Sequence, residues 1–281
     1  MKKVGRLLII GLVLMLLGCE RVLVPLHEQE TSLGQGDAGE DSILLRMAVC
    51  WAGLPLARDL AAAYTAENPR VSTDIVTCDT AVAHDLFASG QVDLAIVSET
   101  RGCRGNGDSA SAVLALDALV VVVPRRSSLN GVARDELSAL FGGYYLDWQE
   151  LSAGHGQPEL VVREADSMAR ELFASYVMEE RTVSSAALVM PHDRAVLEHV
   201  AQEANAVGYI SRAYVDEGVK VLAIDGVAPT REAIQEGEYP LVYCLRVRAS
   251  DAGSREATDF VSFMRSRKGQ RLIADRYVIP D

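Results

Sequence analysis

Basic charge is scarce in this chain. Its 281 residues carry 27 Lys and Arg against 39 Asp and Glu, a formal net charge of -12. An acid excess of that size argues against nucleic acid and against a polybasic membrane surface as partners. Enzyme signatures are missing too. There is no Gly-x-Ser-x-Gly elbow, no nucleotide-binding phosphate loop and no His-Glu-x-x-His pair, so an enzyme reading has neither nucleophile nor metal to rest on. The cysteines include no close pair of the zinc or thioredoxin kind. His192 and His199 would share one helix face about 10 Å apart, too far to hold one ion, and are expected at the surface. No cofactor and no metal are expected. An acidic chain can still take an anionic ligand, because a local cradle of N–H groups and one Arg suffices.

The N-terminus has a different composition. Lys2, Lys3 and Arg6 precede an apolar run from Leu7 to Leu17, the pattern of a secretory signal and too short to span a bilayer comfortably. Leu16-Leu17-Gly18-Cys19 resembles the lipobox of bacterial lipoproteins, which implies cleavage after Gly18, lipidation (palmitate) on Cys19 and anchoring at the extracytoplasmic face of the cell membrane. Residues 1–18 are thus expected as a signal peptide and 19–42 as the lipidated Cys and a flexible tether. Without the signal the chain keeps 24 basic against 39 acidic residues, a net of -15.

Beyond the tether, strands are expected over Ile43 to Cys50, Val71 to Thr77, Val92 to Val97 and Val113 to Val123, with helices over Pro55 to Glu67 and Val82 to Ala88. Alternation of this kind predicts mainly parallel sheets with helices on both faces. Pro124 to Gly131 breaks the pattern and reads as a crossing into a second lobe, with the chain returning near Gly218. The expected division is 43–123 as the first part of lobe 1, 124–218 as lobe 2 and 219–281 as the return segment of lobe 1. One long helix is expected from Arg255 to Asp275, with Ala257, Phe260, Val261 and Met264 on one face.

The stretch Val161 to Phe173, VVREADSMARELF, carries the chemistry. Val161 and Val162 end a strand, while Ala169, Leu172, Phe173 and Tyr176 recur at helical spacing, so a strand-to-helix turn falls near Asp166. Arg163 and Ser167 beside free N–H groups at a helix start make an oxyanion cradle. The alternative is a helix cap, with Asp166 or Ser167 capping and Arg163 on the surface.

Several ordered blocks resemble phosphate-type solute-binding proteins of ABC importers: Leu137 to Gly143 (LSALFGG) with Asp147-Trp148, VVREADSMARELF, Ala206 to Ser211 (AVGYIS), Val219 to Thr230, Gly237 to Leu241 (GEYPL) and Phe260 to Pro280. The resemblance covers nearly all of residues 43–281. It implies a two-lobed, hinged α/β fold of the periplasmic-binding-protein type, a monomer that closes on a small oxyanion, phosphate by default, and presents it to a membrane permease. It implies no enzyme activity.

Residue by residue, the resemblance places Arg163, Ser167 and the backbone N–H groups of Met168 and Ala169 on one side of the cleft. Trp51, Ala52, Thr80, Ser98 and Glu99 fall on the other. Met168 and Ala169 replace the Gly and Thr that usually follow the Ser, and Val49 to Gly53 replaces a Gly-Ser-Thr cluster, so hydroxyl donors are lost. Asp79 would oppose an anion. Glu99 stands where phosphate-specific members often place a carboxylate that accepts a ligand proton, and is otherwise a solvated loop residue. Trp51 would favour a ligand with a flat or apolar face, or is buried in packing. Cys50 and Cys78 end neighbouring strands and Cys103 follows the third, so a bridge among these three, Cys78 with Cys103 first, is expected. The rival reading is a divergent member acting as a surface sensor, a protein-interaction module or a binder of another small ligand.

Overall fold

The computed structural model describes residues 42–103, 111–249 and 254–280. The expected signal segment, Cys19 and most of the tether lie outside the described residues. Two βαβ units open the fold. Strand β1 (Ile43–Cys50) leads through a short 3-10 turn into helix α1 (Leu54–Glu67), and β2 (Val71–Cys78) leads into α2 (Thr80–Ala88) and then β3 (Leu94–Glu99). Pro55 sits in the first turn of α1, where a missing N–H removes no helix bond. Leu56, Leu60 and Tyr64 bury the inner face of that helix. With helices as crossovers, β1 pairs parallel with both β2 and β3.

Strand β4 (Ser111–Pro124) breaks the parallel pattern. It is buried from Leu114 to Val123, apolar on both faces except at Asp117. After it come β5 (Gly131–Val132), α3 (Arg134–Phe141), β6 (Glu159–Arg163), α4 (Met168–Phe173) and β7 (Leu188–Met190). Next are α5 (Asp193–Gln202), β8 (Ala206–Ser211), β9 (Val219–Val221), β10 (Ala223–Ile224) and α6 (Arg231–Glu236). The chain closes with β11 (Val242–Ala249), α7 (Arg255–Arg265) and α8 (Arg267–Arg276).

Among the described residues the main sheet runs β2-β1-β3-β11-β4-β8-β6-β7, with β9 also on β4. It is mixed. β11 runs antiparallel between β3 and β4, whereas β6 pairs parallel with β8 and β7. Strand β4 serves two partners in turn, β11 through Ala118 and then β8 from Leu119, both antiparallel. The pairing changes hands one residue after Asp117. Alternation alone predicted more parallel pairing, because it could not show that β11 returns from the far end of the chain into the middle of the sheet.

The single C-terminal helix expected from Arg255 to Asp275 is two. Ser266 is extended (φ -67, ψ 163) and its hydroxyl accepts from the Gly269 N–H, capping α8. The corner is tight: a Cβ on Gly269 would lie 2.3 Å from the Phe263 carbonyl oxygen. Gly208 makes a second close approach, since a Cβ there would meet Val196 of α5 at 2.7 Å. That contact seats α5, and with it Asp193, on β8. The result is a mixed α/β fold, a curled sheet flanked by helices.

Candidate functional site

A small cavity lies where β1, β2, β3 and β6 end, the C-terminal edge at which parallel strands present loops and helix N-termini to ligands. It leaves about 20 Å³ accessible to the centre of a water molecule. One water needs about 10–15 Å³, so the space is little larger than a single water.

The β6 side is built around Arg163, the last residue of the strand, whose side chain is 2% exposed. Its Nε and Nη2 donate to both oxygens of Glu164 (2.9 and 2.7 Å), Nη1 donates to Asp193 (2.5 Å), and Nη2 also reaches the Pro191 carbonyl (3.2 Å). Four of the five guanidinium hydrogens are thereby used. Ser167 caps α4, accepting from the Arg170 N–H at 3.2 Å and donating to the Glu164 carbonyl at 2.9 Å. The capping alternative therefore holds for Ser167, but Arg163 is buried rather than on the surface. Both line the cavity with Met168 and Ala169, whose N–H groups have no acceptor within the helix because they are the first two of its first turn.

Across the cavity stand Trp51, Ala52, Asp79, Thr80 and Ser98. Tyrosine hydroxyls from later in the chain pin the β1 turn, Tyr214 donating to the Trp51 carbonyl and Tyr277 to the Ala52 carbonyl, each at 2.7 Å. The Thr80 and Ser98 hydroxyls bond each other at 2.8 Å. The Trp51 ring packs against His192, with centroids 4.9 Å apart. His192 is accordingly half-buried, and its Nδ1 accepts from the Ala195 N–H to cap α5; His199 pairs with Glu159 at 3.1 Å. Neither is the free surface residue that spacing alone led one to expect. Burial, with repulsion from Glu164 and Asp166 against the opposing pull of Arg163, raises the Asp79 carboxyl above its ordinary range.

Glu99 is not brought to the cavity. It is the register partner of Cys244, and its carboxylate is engaged by Arg246 (3.0 Å) and Arg248 (2.9 Å). The expected disulfide is also different. Cys103 bonds Cys244, whereas Cys50 and Cys78 are free register partners on β1 and β2. The cause is again β11, which lies beside β3 and brings Cys244 next to the loop that follows it. Burial pushes the Cys50 thiol up to about 12, so it faces the cavity as an unreactive thiol.

Four further residues at the site were not singled out by motif. Glu164 and Asp193 hold Arg163; Asp117 and Tyr243 lie behind them, and Tyr243 also lines the cavity. Asp117 had a legible signal, a carboxylate inside the most apolar run of the chain. Asp193 had none.

The description PBP superfamily domain belongs to a family model that matches residues 30–268. The chain belongs to the PBP superfamily. It is 25% identical over 234 residues to the phosphate-binding protein PstS of Bacillus subtilis, covering 80% of this chain and 77% of that protein. It is 38% identical to the phosphate-binding protein PstS 2 of Streptococcus pneumoniae over 93 residues, which span only 32% of that relative's length. In fold it is similar to a crystal structure, with bound phosphate, described as a phosphate ABC transporter substrate-binding protein of Clostridium perfringens, at TM-score 0.75 and 20% identity, covering 85% of this chain and 100% of that one. Both PstS relatives are described as phosphate-binding proteins.

Proposed function

We propose that this chain is the solute-binding component of an ABC importer, held at the extracytoplasmic face of the membrane through lipid on Cys19, and that it binds phosphate or a closely related oxyanion. The observation that carries the reading is the lining of the cavity: Arg163, the first-turn residues Met168 and Ala169, and the hydroxyl residues Thr80, Ser98 and Ser167 surround one small space. Hydroxyl and N–H donors with one guanidinium are the chemistry that replaces an oxyanion's hydration shell. The segments 43–123 with 219–281 form one lobe and 124–218 the other, and closure brings their halves of the site together. The reading includes a monomer that hands its ligand to a permease.

The charge around the cavity narrows the ligand. Arg163 is already balanced by Asp193 and Glu164, and Asp79 adds a third carboxyl. An oxyanion that carries a proton can donate it to Asp79, whereas one with none meets repulsion. Asp79 thus takes the acceptor role that the resemblance implied for Glu99, and phosphate is favoured over sulfate. Calorimetric titration of the full-length protein in detergent, freed of bound ligand, tests this. Micromolar or tighter phosphate binding with no heat from sulfate is expected. No heat from either, in folded protein, overturns the oxyanion reading.

A further inference from the structure

Asp117 is a buried carboxylate with no Lys or Arg hydrogen-bonded to it among the described residues; it is 1% exposed. Three donors hold it: the Ser211 hydroxyl and the Tyr243 hydroxyl each reach Oδ2 at 2.6 Å, and the Ala118 N–H reaches Oδ1 at 2.8 Å. While Asp117 is ionised it can only accept, so Ser211 donates to it; the Ser211 oxygen also accepts from the Ala213 N–H at 3.2 Å. The Ser211 N–H in turn donates to Asp193 Oδ1 at 2.7 Å, and Asp193 Oδ2 holds Arg163. One serine therefore joins two carboxylates, one on the strand that changes partners and one on the arginine of the cleft.

We propose that Asp117 is a positioning residue for the cleft: when ionised it fixes Ser211 and Tyr243, Ser211 fixes Asp193, Asp193 fixes Arg163, and protonating Asp117 loosens that relay and weakens ligand binding. A protonated Asp117 needs an acceptor for its own hydrogen, and the nearest oxygens are the two hydroxyls that now donate to it. One of them must turn away. Tyr243 lines the cavity, and Ser211, the residue whose hydroxyl turns, holds Asp193 through its backbone N–H, so either reversal acts on a residue in contact with the site.

The groups that face Asp117 are Tyr243 from β11, Asp193 at the start of α5, Arg212 in the turn after β8, and Tyr277 after α8. Burial dominates and Asp193 adds to it, the hydrogen bonds oppose, and the carboxyl is pushed up to about 6. Burial also drives both tyrosines well above their ordinary range, so they stay neutral while Asp117 titrates.

The effect on affinity rests on the oxyanion reading; the effect on Arg163 does not, and the test separates them. In the isotope-labelled full chain without ligand, the Arg163 Nε–Hε NMR signal, assigned with Arg163→Lys, is followed from about pH 7.5 to about pH 5. The wild type should shift with a midpoint near 6, while Asp117→Asn and Ser211→Ala should give flat profiles. The second variant keeps the backbone donor to Asp193 and serves if the first does not fold. A flat wild-type profile, or the same profile in the variants, overturns the proposal. Phosphate calorimetry on wild type and Asp117→Asn at each pH then gives an affinity ratio from which phosphate's own titration cancels. The ratio should be about tenfold near pH 7.5 and approach unity near pH 5; a constant ratio counts against the proposal. If the wild type binds no phosphate, the oxyanion reading falls and the NMR result judges the relay alone.

Discussion

Two arginine–carboxylate clusters hold this sheet, and they are built in opposite senses. At the end of β6 one guanidinium serves two carboxylates, with side-chain exposures of 2% for Arg163, 3% for Asp193 and 29% for Glu164. Between β3 and β11 one carboxylate serves two guanidiniums, with exposures of 25% for Glu99, 9% for Arg246 and 36% for Arg248. Burial separates them. In the first cluster a desolvated pair stands at the cavity and depends on its partners; in the second, water reaches Glu99 and Arg248 though Arg246 is buried, and the covalent bridge Cys103–Cys244 lies beside them. Charge near a strand end is therefore a poor guide to a site until burial is known.

The largest effect should come from breaking the buried cluster. Arg163→Met leaves Asp193 without its cation in a site closed to water, and removing one partner of such a pair costs about 3–5 kcal/mol. Denaturant unfolding should show that loss, and phosphate binding should vanish with it. Charge reversal, Arg163→Glu, should be worse and give little folded protein, because it sets a new carboxylate between Glu164 and Asp193. An unchanged unfolding midpoint for Arg163→Met would mean that the pair is not desolvated.

On the other side the covalent bond, not the ion pairs, should dominate. Replacing Cys103 and Cys244 together by Ser removes a link across 141 residues, with an expected loss of about 2–4 kcal/mol. Phosphate affinity of the folded fraction should hold, since neither cysteine lines the cavity. A large affinity change with little loss of stability would reverse the contrast between the two regions.

Much of this contrast was hidden in the sequence, for physical reasons. The Arg163 turn was legible because a Val-Val strand end, a polar turn and a helical apolar spacing follow one another within a few residues. Helices α1 and α2 and the first three strands were legible for the same local reason. What could not be read depends on contacts between distant segments. Cys103 meets Cys244, Glu99 meets Arg246, and Tyr277 pins the β1 turn only because the chain returns after Gly218, while Tyr214 reaches the same turn from just before that return. The hydroxyls lost near Trp51 looked like weakness in the site. The fold supplies an aromatic closure there, Trp51 against His192, which neither residue announces alone.

Ser167 gives a smaller and more discriminating test. Its hydroxyl caps α4 and also faces the cavity, so Ser167→Ala should cost about 1 kcal/mol of stability as a lost cap and weaken phosphate binding besides. Ser167→Asp should restore the cap but place a carboxylate on the anion, and so recover stability while abolishing binding.

The smallest effect is expected at Glu99, and it is the one that most directly opposes reading the site from strand position. Glu99→Gln keeps the shape of the side chain and removes its charge. Arg246 also donates to the Gly102 carbonyl at 2.7 Å, and the Arg248 side chain is partly solvated although its Nε is buried without a partner among the described residues. Stability should change by less than about 1 kcal/mol, as for other solvent-screened pairs. Phosphate affinity should stay within about twofold, a difference well under 1 kcal/mol. Were Glu99 the acceptor of a ligand proton, the same substitution would cost far more, because a buried ligand hydroxyl would lose the charge it donates to. Asp79→Asn is the matched control: it faces the cavity across from Arg163, and there the larger loss should appear.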